Sequence, residues 1–516
     1  MPSQDSKSRA ASDKLAAMNA TIWSQITADP NLPHEQPTTS LWQLPRHPLV
    51  GSIQSATLPE EVDHIVIGSG IAGLGAARTL LDSPEAGRQT VTVLEARNLC
   101  SGATGRNGGQ LTRVPPTLYP FLSEYFGTEQ AKKIFKYTVQ GLEEMKALAT
   151  GQGVDVEKES RYQPLEKFFA YYDEQSWRET VEGVEHYERE NPEDKGIYNL
   201  VSKQECDSKY NIKGAHGGLR FPAGVISPHN LVSATFNNLL AKYPNRLTIE
   251  TNTPATAVQH HPSSNATHPY IVKTPRGTIR ATNILHCTNG WSGHLLPGLR
   301  GKMYPRRGTM SVQSPGEDFP DMSRKQSWSL YFTPKLDEET DAVETGRYYC
   351  FQNRDTGDLW IGGDRDSISG FISTDDSKID LTAEKNLRSM LPSLWQDKWI
   401  KSTGDVRGIW TGVMCYTGDR LPFIGRLPGS ATGRRGSGEW IAGGWNSYGM
   451  TNGLLSGSSL AKLVLGEEVP YLPESYYITP ERLSSKKLKV AEVVRDYFER
   501  IGAHKYVMED SIGSKL

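Results

Sequence analysis

The hexapeptide Gly68-Ser69-Gly70-Ile71-Ala72-Gly73 constrains this chain more than any other feature. It stands between a short apolar run, Val62 to Ile67, and a stretch of helical spacing from about Ala72 to Leu81. The run suits a buried parallel strand because it is short, apolar and ends in glycines. Gln89 to Leu94 reads as a second strand, so the unit is β-α-β. In such a unit Gly68 permits a tight turn, Gly70 lets backbone approach a pyrophosphate, and Gly73 lets helix and strand lie close. Ile71 and Ala72 open the helix, whose unpaired N–H groups face the phosphates. Glu95, followed by Ala96 and Arg97, ends the second strand. A carboxylate there accepts hydrogen bonds from both hydroxyls of an adenosine ribose. The combination predicts an adenine dinucleotide and does not by itself choose between FAD and NAD.

The next segment chooses. Cys100 to Gln110 reads CSGATGRNGGQ, with Gly102, Thr104, Asn107, Gly108, Gly109 and Gln110 as its binding candidates. Glycines and small polar residues let backbone lie flat against a ligand and donate N–H bonds. The loop resembles the one that carries the ribityl-diphosphate of FAD inward in the D-amino-acid oxidase-like flavoproteins, the superfamily of glycine and sarcosine oxidases. GATGRNGGQ is most similar to the gamma-glutamylputrescine oxidase branch. Further resemblances follow in order: Ala223 to Leu231; Ala257-Val258, a pair that brackets adenine; and Ile284 to Ser292, with Thr288, Gly290 and Trp291. Pro305 to Gly308, Asp419 to Gly425, and Gly443 to Met450 complete the series.

The resemblance implies an α/β fold: a Rossmann-like FAD-binding domain of glutathione-reductase type interleaved with an antiparallel-sheet substrate domain. It implies FAD, read as non-covalent because Cys415 lies closer to Asp419 than the familiar attachment spacing and the Ser101–Gln110 loop holds no histidine. Gly444, Tyr448, Gly449, Met450 and Thr451 would form the late glycine loop, with a helix beginning near Thr451 that aims N–H groups at the pyrimidine edge of the flavin. The implied chemistry is removal of hydride from carbon next to an amine nitrogen, with dioxygen reduced to hydrogen peroxide. A dehydrogenase using another acceptor and a non-catalytic flavin-binding protein stand as rivals.

Catalytic candidates come from the aromatic strands between about 305 and 365, whose pattern reads as an antiparallel sheet. Tyr331, Tyr349 and Trp360 are read either as a dry pocket, which lowers an amine's pKa by desolvation, or as core. Trp445 and Asn446 sit in the flavin loop within reach of substrate. Arg307, or Arg365, is the candidate for a substrate carboxylate, because guanidinium pairs with it bidentately; the alternative is a structural arginine.

Composition excludes other classes. With 516 residues and net charge −2, the chain has no global electrostatic reason to bind nucleic acid or an anionic membrane. The 5 cysteines form no CxxC pair, a poor disulfide framework and a poor metal site. No apolar run approaches a membrane span. The expected organisation is an arm at 1–60, a discontinuous FAD-binding domain at 61–115, 215–300 and 405–466, a substrate or cap domain at 116–214 and 301–404, and a helical tail at 467–516. The tail ends in Ser514-Lys515-Leu516, the tripeptide read by the peroxisomal import receptor, so the expected address is the peroxisome.

Overall fold

The computed structural model describes residues 4–261, 267–316, 318–395, 398–399 and 405–507. Two sheets organise it. The first runs in the order Phe423–Arg426, Glu439–Gly443, Gly277–His286, Glu61–Ile67, Val91–Leu94, Leu247–Glu250. Its central neighbours are all parallel, and Phe423–Arg426 joins the edge antiparallel. Val91–Leu94 is buried at every position and Glu61–Ile67 at five of its seven. That is what helices on both faces of a parallel sheet require.

The second sheet has ten strands. Its path runs Val406–Thr417, Met303–Gln313, Leu359–Ser367, Ala342–Gln352, Gln326–Tyr331, Gln163–Tyr171, Gly217–Val225, Gln110–Leu111. Pairing is antiparallel except where Gln326–Tyr331 meets Gln163–Tyr171 in parallel. The fold is therefore the expected α/β class with two interleaved sheets. The expected boundaries shift in three places. Gln110–Leu111, Gly217–Val225 and Val406–Thr417 belong to the second sheet, because each pairs there.

The Ile71–Asp82 and Gly449–Val464 helices cross with backbone against backbone. A Cβ on Gly75 would stand 2.2 Å from the Leu454 carbonyl oxygen, and one on Gly457 would stand 2.0 Å from that of Ala72. The carboxyl end of Glu61–Ile67 and the start of both helices thus converge. Two helices, Leu118–Phe126 and Thr128–Thr150, meet at Gly127 with φ +84°. The Gln4–Thr27 helix packs Ile22 and Ile26 in one apolar cluster with Val493, Val494, Tyr497 and Phe498 of the Val490–Ile501 helix. The Gln4–Thr27 helix lies near Met303–Gln313, and Tyr497 of the Val490–Ile501 helix meets Tyr304 of that strand edge-on, so the tail docks on the body. Among the described residues no helix is long and apolar enough to cross a membrane. Ser514-Lys515-Leu516 lies outside them.

Candidate active site

A cavity of about 720 Å³ runs between the two sheets. The first sheet and its connections supply Gly68, Gly70, Ile71, Ala72, Glu95, Ala96, Arg97, Thr288 and Trp291 to its wall. The glycine loop supplies Gly102, Thr104, Asn107, Gly108, Gly109 and Gln110, and the late loop supplies Trp445, Tyr448, Gly449, Met450 and Thr451. Tyr331 and Tyr349 come from the second sheet. Residues predicted from widely separated segments are thus brought to one enclosure.

The glycine turn has mechanical causes. Gly68 adopts φ +107°, and a Cβ there would meet the Cys287 carbonyl oxygen at 2.6 Å. A Cβ on Gly73 would stand 1.9 Å from the Gly68 carbonyl oxygen. Gly73 accordingly does not line the cavity; it sets the distance between strand and helix. The Glu95 carboxylate accepts from the Ser69 N–H (3.2 Å), the Ser69 hydroxyl (2.6 Å) and the Arg97 N–H (3.1 Å). Thr104 Oγ1 accepts from the Ile71 N–H at 3.1 Å, tying the loop to the helix start. Asn107 Oδ1 accepts from the Gly109 N–H at 2.7 Å, so the loop's own side chain holds its bend.

Six further predicted residues also fall outside the cavity wall, each for a definite reason. Arg307 pairs with Asp366 at 2.7 Å. Successive strand residues face opposite sides, so it is Arg306 that lines the cavity, with its guanidinium over Phe371 and Tyr416. Asn446 donates to Gly444 O and Thr417 Oγ1 and accepts from the Thr417 N–H, so its amide bolts two loops together. Asp419 is held by Arg482 at 2.8 Å and anchors the tail. Val258 belongs to the core around Tyr270 and Val272, and Ala255, in the preceding turn, reaches the cavity instead. Gly290 packs on Val413 and Met414, and Gly444 (φ +80°) on Thr417; both allow close approach of chains. Of the other candidates, Trp360 stacks in a cluster with Trp42, Phe351 and Trp410, and Arg365 pairs with Glu344 at 3.4 Å.

The predicted helix start near Thr451 moves to Gly449. Asn446 and Ser447 both take positive φ before it, and no side chain caps its first turn. Its leading N–H groups and dipole therefore remain available at the cavity.

Arg97 is more than a neighbour of the ribose acid. Its Nη1 pairs with both oxygens of Asp376 at 3.0 and 2.9 Å, and Asp376 is 0% exposed. The Asp375-Asp376 turn, which reads as solvated, thus carries a buried anion beneath Arg97 and Arg106. The arm closes over this cluster. Thr38 donates to Asp376 O and accepts from Arg106, while Trp42 Nε1 donates to Asn107 O at 2.6 Å. Asn31, Leu32 and Pro33 form part of the cavity wall.

Several lining residues escape sequence reasoning, notably Lys167, Phe169, Arg113, Arg347, Tyr416 and Arg500. Lys167 carries a legible signal: Gln163, Leu165, Lys167, Phe169 and Tyr171 alternate as one strand face, and a lysine on an otherwise inward face is anomalous. Burial pulls its ammonium down to about 7. Cys415 also lines the cavity, and burial pushes its thiol up, which keeps it protonated.

A dinucleotide fits this wall on two independent grounds. A Cβ on Gly102 would meet nothing nearer than the Trp291 ring at 4.0 Å, so the glycine loop leaves open wall there, and two buried donors, Gln110 Nε2 and Trp291 Nε1, have no partner among the described residues. Buried donors without partners are costly, and a polar ligand satisfies them.

A family model described as "DAO: FAD dependent oxidoreductase" matches residues 63–463. The chain belongs to this family. It is an FAD-dependent oxidoreductase. It is 25% identical over 426 residues to gamma-glutamylputrescine oxidoreductase of Escherichia coli (strain K12), covering 80% of this chain and 86% of that one. It is 23% identical over 448 residues to the probable oxidoreductase OrdL of Rhizobium meliloti (strain 1021), covering 83% and 90%. Glycine oxidase from Geobacillus kaustophilus shares the fold with a TM-score of 0.60 at 17% identity, over 82% of this chain and 100% of that one. In this DAO-family chain, the matched region begins after the arm that walls the cavity.

Proposed function

We propose that this flavoprotein is an oxidase that takes hydride from carbon bearing an amine nitrogen in a substrate that also carries a carboxylate. One observation carries this reading. The strands of the second sheet present aromatic rings (Phe169, Tyr331, Tyr349) and the basic groups Lys167, Arg306 and Arg347 to the cavity, and no carboxylate. An ammonium against this sheet face meets desolvation with no counter-charge from its strands, the cavity's carboxylates Glu95 and Glu179 standing on other elements, and this favours the neutral amine needed for hydride release. The basic groups instead favour a substrate anion, so secondary and N-methyl amino acids or carboxylate-bearing amine conjugates suit the cavity better than a bare polyamine.

Bound FAD supplies the electron-pair acceptor and returns the electrons to dioxygen, which with two protons becomes hydrogen peroxide. The chain's own residues do the rest. Gly68, Gly70 and the Ile71–Asp82 helix start would hold the diphosphate, and Glu95 the ribose. Gly449, Met450 and Thr451 would place N–H groups at the pyrimidine edge. Trp445 and Tyr448 would order the substrate against the ring. Attachment is non-covalent in this reading, supported by the protonated, buried Cys415 thiol. Ser514-Lys515-Leu516 supports a peroxisomal address, where the peroxide product is consumed.

The test is peroxide and oxygen stoichiometry with a panel of amines and N-methyl amino acids. One peroxide per substrate consumed is expected, and aerobic substrate oxidation without peroxide assigns the chain to the dehydrogenases. Acid precipitation should release FAD into the supernatant. A fluorescent fusion ending in Ser-Lys-Leu should enter peroxisomes, and the same fusion lacking the tripeptide should not.

A further inference from the structure

Lys167 is the least expected group in the cavity. It lies in the middle of Gln163–Tyr171, is 1% exposed, and pairs with no carboxylate among the described residues. Its Nζ donates to Trp328 O at 2.8 Å and to Gln110 Oε1, and lies 5.8 Å from the Phe169 ring centre. An apolar side chain of similar length would fill this place without the desolvation penalty of a cation.

The pairing has a consequence for Gln110. Below pH 7 Lys167 is an ammonium, with three donors and no acceptor, so Gln110 must turn its carbonyl oxygen toward it. The amide then cannot flip, and its NH₂ edge is left as a donor. That edge, Gln110 Nε2, is buried and has no partner among the described residues, although both residues line the cavity. Two bonds to Lys167 leave a third N–H of the ammonium with no partner given among the described residues. The strand and the end of the glycine loop thus present donors and one positive charge, with no anion of their own to meet.

We propose that Lys167 is a positioning residue that locks the Gln110 amide with its N–H edge toward the isoalloxazine and, with its own cation behind that edge, raises the electron affinity of the bound flavin. Negative charge develops on the ring when hydride arrives, and fixed donors stabilise it without reorganising. The inference rests on the chain's being an FAD protein and not on its substrate or on oxygen as acceptor. Its test therefore reads the flavin and not turnover.

The experiment is equilibrium reduction of the holoprotein against a reference dye at pH 6, below the value of about 7 to which burial pulls the Lys167 ammonium. Lys167→Met should make the flavin at least tenfold harder to reduce at equilibrium, about 30 mV for a two-electron couple. Lys167→Arg, which keeps the charge and donor character, should restore most of the difference. Gln110→Glu, which replaces the donor edge by an acceptor, should shift the equilibrium in the same direction as Lys167→Met. A Lys167→Met protein that binds FAD and is reduced within threefold of the parent overturns the proposal. So does a change confined to KM for carboxylate-bearing amines with the flavin equilibrium unmoved, which would assign Lys167 to substrate. If Lys167→Met does not bind FAD, Gln110→Met carries the test, and an unshifted equilibrium in that variant is equally decisive against it.

Discussion

Replacing Gly457 by alanine tests whether the crossing of two helices sets the cofactor site. The added Cβ would stand 2.0 Å from the Ala72 carbonyl oxygen and 2.9 Å from the Ala76 nitrogen. Ordinary contact begins near 3.4 Å, so the Ile71–Asp82 and Gly449–Val464 helices must part by about 1.4 Å. Neither side can yield locally, because the obstacle is helical backbone. Overpacking of this kind costs about 1–3 kcal/mol. Alanine's better helix propensity returns about 1 kcal/mol of that. The net loss is about 0–2 kcal/mol, and it falls on the two helix starts that line the cavity. A loss of about 1.4 kcal/mol in binding is a tenfold weaker FAD complex. The assay is titration of apoprotein with FAD followed by flavin fluorescence, with Ser458→Ala as the neighbouring control. Gly457→Ala that binds FAD with the parent affinity and unfolds at the parent temperature would refute the claim that this contact sets the spacing.

Other outcomes follow from single contacts. Glu95→Ala removes a charged acceptor at the ribose position, and FAD affinity should fall by about 10- to 100-fold, since bonds to charged groups contribute about 1.5–3 kcal/mol. Arg97→Met leaves the buried Asp376 with Arg106 alone, and thermal denaturation should report a loss of about 3–5 kcal/mol, the usual cost of breaking a buried pair. Burial pushes the Glu439 carboxyl up, but Arg434 and His286 outweigh it and hold it at about 2, against 4.5 when unperturbed. A depressed acid stabilises the fold above pH 4.5 and loses that stabilisation as pH falls toward 2, a span of about 3 kcal/mol. The stability gap between the parent and Glu439→Gln should therefore be full near neutrality and shrink below pH 4.5.

The parallel sheet and its glycine turn were legible because their demands are local. Gly68 needs positive φ, Gly73 needs contact, and Glu95 follows a four-residue buried strand. The second sheet was legible only where aromatic residues crowd it, as in Gln326–Tyr331 and Leu359–Ser367. Met303–Gln313 contains a proline, two arginines and a glycine, and Val406–Thr417 is interrupted by glycines, so neither shows a strand period. Both are strands because each satisfies the other's backbone. The site divided in the same way. Residues that touch the ligand through backbone, such as Gly108 and Gly449, announce themselves by type. Arg307 and Arg306 differ only in which side of a strand they face, and that is settled by a pairing partner a hundred residues away. Lys167 belongs to a strand whose alternation was readable, and its meaning appears only beside Gln110.

The clasp over the dinucleotide end has a bearing on how the protein matures. Thr38 meets Asp376 across 338 positions and Thr411 across 373. During synthesis the N-terminal arm therefore emerges long before its docking partners exist. The clasp over the nucleotide end cannot be complete until Thr411, about four fifths of the way along the 516-residue chain, has been made.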